Sequence, residues 1–80
     1  LEKDPKTQLQ ELLQATGAQP PDYAVISTSG QPHEREFVVD CSIPSLGLTT
    51  SGQGSSRKSA EQDAALQALR QIHERETSID

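Results

Sequence analysis

Between Gly52 and Leu69 the chain reads GQGSSRKSAEQDAALQAL, and no other stretch restricts the possible folds as much. Glycines, which let the backbone come close to another surface, give way to hydroxyls, then to the adjacent cations Arg57 and Lys58, then to an alanine-rich run. Ser55 or Ser56 can cap a helix starting here, which would turn its free amide hydrogens and positive dipole end outward beside the two cations. Ala60, Ala64, Ala65, Ala68, Leu69 and Ile72 recur at steps of three or four, so the helix carries one apolar stripe as far as about His73 or Glu74. Small residues dominate that stripe, and a helix so lined can lie close against a sheet. Leu66 falls off the stripe and is expected to be exposed. The same letters suit an ordinary amphipathic helix of an α+β domain, so the helix alone leaves its role open.

Such a helix needs a sheet, and the preceding residues supply one. Asp4-Pro5 is a helix start, with Asp as N-cap and Pro where its missing N–H costs nothing. Leu9, Leu12 and Leu13 form the buried stripe of this first helix, and Thr7, Gln10, Glu11 and Gln14 share a polar face. The helix should run to about Thr16 and stop at Gly17, with Pro20 and Pro21 leading into extended chain. A strand follows from Asp22 to about Ser29, rich in β-branched and aromatic residues. A second runs from about Glu34 to Ile43, with Phe37, Val39, Cys41 and Ile43 alternating against Glu36, Val38, Asp40 and Ser42. Between them SGQPH reads as a hairpin loop with His33 near its tip. Ser45 to about Gln53 gives a weaker third strand through Leu46 and Leu48. The expectation is an α+β fold in αβββα order: a three-stranded antiparallel sheet with two helices packed on one face.

Eighty residues hold one small core. One cysteine excludes an internal disulfide framework and favours a reducing compartment. No run approaches the roughly eighteen apolar residues of a membrane span. The expectation is a soluble cytoplasmic protein with no membrane partner. A net charge of −5 argues against nucleic acid, whose binding is driven by counterion release onto a positive surface. The distribution argues otherwise, because residues 41–60 carry Arg57 and Lys58 and no acid. With a screening length of about 8 Å, such a tip can act while the far side stays acidic.

Catalytic and metal-binding constellations are weak here. Cys41 alternates onto the buried face of a strand, and His33 and His73 fall in different elements, neither at metal-ligand spacing from another ligand. Counting a phosphate-loop pattern from Gly47 through Gly52 puts Gln53 where that motif requires lysine. The loop GQGS joins a strand to a helix, unlike the helix-to-helix loop of KH modules.

The αβββα order, ending in a glycine-flanked loop and a helix that starts Ser-Arg-Lys-x-Ala, resembles the double-stranded RNA-binding domain over about residues 5–74. It is most similar to the C-terminal domain of bacterial ribonuclease III, with DPKTQLQELLQ, the loop ending in His33 and GQGSSRKSAEQDAA in that family's order. The resemblance implies residues 1–4 as the end of an interdomain linker and 75–80 as a tail. It also implies duplex RNA as partner, no catalytic residue or cofactor in this chain, and Mg2+ in the parent's absent catalytic part. The parent enzyme would be a homodimer through that part.

By the family's pattern, Thr7, Gln10, Glu11 and Gln14 enter one minor groove and the His33 loop reaches the next. Ser56, Arg57 and Lys58 then grip phosphates across the major groove between, the whole spanning about 16 bp. Glu61 stands where the general family carries a third cation, as it does in the ribonuclease III version, and Ser59 where ribonuclease III relatives often have another. Two cations at the tip imply weak binding by the isolated domain, with a salt slope of roughly −2 to −3 at about 0.9 per phosphate. The alternative is a degenerate domain of this fold used for protein contacts.

Overall fold

The computed structural model describes residues 3–77 and has the order α1 (Pro5–Ala15), β1 (Asp22–Ser29), β2 (Glu36–Ile43), β3 (Leu48–Gly54) and α2 (Arg57–Thr77). The strands form one antiparallel sheet in the order β1-β2-β3. α2 packs across β3 and β2, and α1 packs beside α2. Leu9 and Leu13 of α1 join Cys41, Ile43 and Leu48 and the α2 residues Ala64, Ala65, Ala68 and Ile72 in one buried cluster, so both helices share one sheet face.

Local chemistry accounts for the ends of α1. The Asp4 carboxylate accepts from the Thr7 N–H at 2.8 Å, and Pro5 occupies the first turn. At the other end Gly17 takes a left-handed φ of 74°, and the Gly17 and Ala18 amides donate back to the Gln14 and Leu13 carbonyls at 3.0 and 2.9 Å. That double closure satisfies carbonyls the last turn would leave free and packs half-buried Ala18 against the core.

The glycines before α2 serve the sheet. A Cβ on Gly52 would stand inside contact distance of the Ala60 carbonyl and the Ala64 amide, and one on Gly54 would meet Ser59 and the Ala60 amide. The surface these glycines let the backbone approach is therefore α2 itself. Ala60, Ala64, Ala65 and Ala68 are fully buried in that contact. Thr50, also buried, donates its hydroxyl to the Ala64 carbonyl at 2.8 Å.

Several expectations are corrected. Pro44–Leu46 is a short 3-10 turn, so β3 begins at Leu48; Leu46 is exposed while Leu48 is buried. Pro44 withdraws an amide donor just where the edge strand would have started. β2 begins at Glu36, because residues 31–34 close a turn in which the Glu34 amide donates to the Gln31 carbonyl at 2.8 Å. β1 carries a bulge between Val25 and Ser27 that turns Ile26 outward, a feature the alternation did not disclose. α2 runs past Glu74 to Thr77, with Arg75 donating to the Leu46 carbonyl at 3.0 Å. Leu66 is half-buried rather than exposed, since it lies one turn beyond Gln62 on the side of α2 that faces α1. Residues 78–80 of the expected tail, and 1–2 of the expected linker, lie outside the described residues.

Candidate nucleic-acid interface

Ser56 is the cap of α2. Its hydroxyl accepts from the Ser59 N–H at 3.1 Å while its own N–H donates to the Ser59 hydroxyl at 3.1 Å. This is a reciprocal capping box in which Ser59 takes the part usually played by a glutamate. Ser59 is thus occupied in building the helix start. The capped turn contains Arg57 and Lys58 and no acid. Two cations at the positive end of a helix dipole oppose that dipole at about 0.3–1 kcal/mol each, and only Arg57 recovers part of that cost within α2, through an i,i+4 pair with Glu61.

Arg57 and Lys58 are both exposed but not equivalent. The Arg57 Nε donates to Glu61 at 2.9 Å, one turn along the helix, while Lys58 has no carboxylate within ion-pair distance among the described residues. Glu61 also receives the Lys6 ammonium at 2.6 Å, and its side chain is only 12% exposed. The Lys6 hydrogen bond, with a smaller contribution from Arg57, holds the Glu61 carboxyl below the usual carboxylate range against the opposing effect of burial.

Lys6 joins α1 to this end of α2. Besides the ion pair, its N–H donates to the Gln62 side chain at 3.0 Å, and its ammonium lies 4.8 Å from the centre of the Tyr23 ring. The Tyr23 hydroxyl is buried without a hydrogen-bond partner, opposite Cys41 in the β1–β2 register; burial first, then the neighbouring thiol, push its ionisation upward. Burial likewise raises the Cys41 thiol, which is fully enclosed and inert.

Thr7, Gln10, Glu11 and Gln14 are all exposed on one face of α1. Thr7 follows Lys6 directly, and its N–H donates to the Asp4 carboxylate that caps α1. Gln10 borders a shallow depression with Lys6, Pro20, Pro21 and Tyr23. Glu11 is paired with Lys3 at 2.6 Å, both side chains about half exposed, and among the described residues no bond ties Glu11 or Gln14 to the hairpin loop or to α2. His33 is exposed at the tip of the 31–34 turn, with Pro32 supplying the fixed φ of the turn's second position. His33, Arg35, Phe37, Ser56 and Arg57 line one concavity. Two of the three polar clusters thus share a hollow, and Lys6, the residue before the third cluster, is bonded to the second turn of α2.

The residues missed from the sequence are Lys6 and Gln62, together with the double pairing of Glu61. A four-residue spacing announces the Arg57–Glu61 pair, but nothing local announces a partner on the other helix. Among the described residues no group of three His, Cys, Asp or Glu side chains could hold a metal ion, and no helix is long and apolar enough to cross a membrane.

A model of the double-stranded RNA binding motif matches residues 5–72. Ribonuclease 3 of Xylella fastidiosa strain M12 is 54% identical over 71 residues, which cover 89% of this chain and 31% of that protein. Ribonuclease 3 of Idiomarina loihiensis is 48% identical over 73 residues, covering 91% and 32%. The chain spans about a third of the length of the curated relatives it matches. Among solved structures, Arabidopsis HYL1, studied for its implications in miRNA processing, superposes with a TM-score of 0.74 at 31% identity, over 86% of this chain and 96% of that one. The two double-stranded RNA-binding domains of DRB4 with their linker give 0.63 at 34% identity, over 84% and 42%.

Proposed function

The chain belongs to the double-stranded RNA binding motif family, and from that premise we propose that it grips one side of an A-form duplex to hold it for a ribonuclease III-type cleaving part. In this reading the exposed α1 face enters a minor groove, where Thr7, Gln10 and Gln14 offer hydroxyl and amide groups and Glu11 offers an acceptor for a 2′-hydroxyl. His33 reaches the next minor groove. Ser56, Arg57 and Lys58 meet the phosphates between them, helped by the free amides of the capped turn.

The observation that carries the reading is the hollow shared by His33, Ser56 and Arg57. A loop and a helix start that were separate in sequence border one concave surface beside the cationic tip. In this reading cleavage falls to another part of a longer parent protein, of the kind the ribonuclease 3 relatives represent. A homodimeric parent would present two such domains and gain affinity by avidity.

The test is a titration of this chain with a duplex RNA of about 16 bp and with the same sequence as duplex DNA, at matched salt. RNA should bind more tightly, because the α1 face and the His33 loop read 2′-hydroxyls. Equal affinity for the two would refute the assignment of those groups.

A further inference from the structure

We propose that Glu61 is a positioning residue of the RNA interface, fixing Arg57 and the first turn of α1 relative to one another. The inference rests on the duplex-binding reading above and concerns a residue that reading does not use. An acid beside two cations at a polyanion-binding tip is, by charge alone, a defect: it cancels positive potential where phosphates are to be held. Yet Glu61 is the most enclosed charged side chain in the three ion pairs described, and both its oxygens are engaged.

The geometry explains why it is useful there. Arg57 is held through Nε, at 2.9 Å, so its two terminal nitrogens remain without partners among the described residues and stay available for a phosphate. The other carboxylate oxygen takes the Lys6 ammonium at 2.6 Å, and the adjacent Gln62 takes the Lys6 backbone N–H at 3.0 Å. Lys6 precedes Thr7, the first residue of the groove-facing set. One carboxylate therefore couples the phosphate-facing guanidinium to the helix face that must fit the neighbouring groove. A duplex has a fixed spacing between those two features, so a domain that holds the matching spacing before binding loses less ordering entropy on binding.

Charge and positioning predict opposite results for the same substitutions, read as duplex RNA affinity of this chain. Glu61→Gln keeps the shape and removes the charge; Glu61→Asp keeps the charge and shortens the reach by one methylene. Positioning predicts that both weaken binding by about threefold to tenfold, and that the loss caused by Arg57→Ala becomes smaller in the Glu61→Gln background than in the unaltered chain. A purely structural role would leave the Arg57→Ala loss undiminished. Tighter or unchanged binding by Glu61→Gln, unchanged binding by Glu61→Asp, or full additivity with Arg57→Ala would overturn the inference. Should Glu61→Gln not fold, the same cycle with Arg57→Ala is run in the Glu61→Asp background, where positioning again predicts a diminished Arg57→Ala loss and full additivity would overturn it. If Arg57→Ala alone leaves affinity unchanged, the phosphate contact in the underlying reading fails instead, which separates the two failures.

Discussion

Lys6 in the first turn of α1 and Glu61 in the second turn of α2 stand 55 positions apart and meet at 2.6 Å. Their contact, with the Lys6 amide on Gln62, fixes where the second helix begins relative to the first. The two helices also share the Leu9 and Leu13 core, but apolar packing tolerates sliding, whereas an ion pair with hydrogen-bond geometry fixes a register.

The pair should make stability sensitive to acid. The Glu61 carboxyl titrates below its unfolded value of about 4.3, chiefly through the Lys6 hydrogen bond. Its contribution is fully present above that value and is lost as pH falls through the lowered folded one. Asp4 shifts in the same direction through the Thr7 N–H. Thermal midpoints measured against pH should show Glu61→Gln below the unaltered chain at neutral pH, the gap closing as pH drops under about 4.

Gly52→Ala should be among the most damaging single substitutions. The added methyl would collide with the backbone of α2 at Ala60 and Ala64, and backbone cannot rotate away as a side chain can. A loss of about 3 kcal/mol is expected, lowering the thermal midpoint of a domain this size by roughly 15 °C. Ser51→Ala, one position earlier on the exposed side of β3, removes only a solvent-exposed hydrogen bond to Asp40; it serves as the control and should shift the midpoint far less.

The αβββα order was legible because each element advertises itself locally: the Asp4-Pro5 start, the Gly17 stop, the alternation from Phe37 to Ile43 and the alanine stripe of α2. Boundaries failed where a local signal had two readings. Leu46 and Leu48 alternate like strand residues, yet Pro44 sets a 3-10 turn that leaves Leu46 exposed and only Leu48 buried. The glycines of GQGS read as room for a ligand, and the fold fills that room with α2. Of the candidate site, the exposure of Thr7, Gln10, Glu11, Gln14, His33, Ser56, Arg57 and Lys58 follows from helix and loop periodicity. The nearness of His33 to Ser56 and Arg57, and the Lys6–Glu61 link, depend on tertiary packing that no short-range pattern encodes.

Ser56→Ala removes one half of the capping box and leaves the Ser59 N–H without its acceptor. A loss of about 1 kcal/mol in unfolding free energy is expected, measurable by denaturant titration. Ser56→Asp should retain the cap and the stability, since a carboxylate is a good acceptor at a helix N-terminus. It should nonetheless weaken duplex RNA binding, because it sets a negative charge beside Arg57 and Lys58.

Affinity and its salt dependence separate the two kinds of contact. If Arg57 and Lys58 meet phosphates as proposed, Lys58→Ala and Arg57→Ala should each lower affinity for any duplex and flatten the log–log salt slope by about 0.9, from a starting slope of roughly −2 to −3. Gln10, exposed on α1, is a neutral groove contact in the proposed reading, and Gln10→Ala would delete it. It should cost about 1 kcal/mol of RNA affinity with the slope unchanged, and narrow the preference for RNA over DNA. The discriminating measurement is the slope: a change in it for Gln10→Ala, or none for Lys58→Ala, would mean that groove and phosphate contacts have been assigned to the wrong helices. Lys58 is the cleaner of the two phosphate tests. It has no acid in ion-pair range among the described residues, whereas removing Arg57 also frees a Glu61 oxygen and alters the field at the tip.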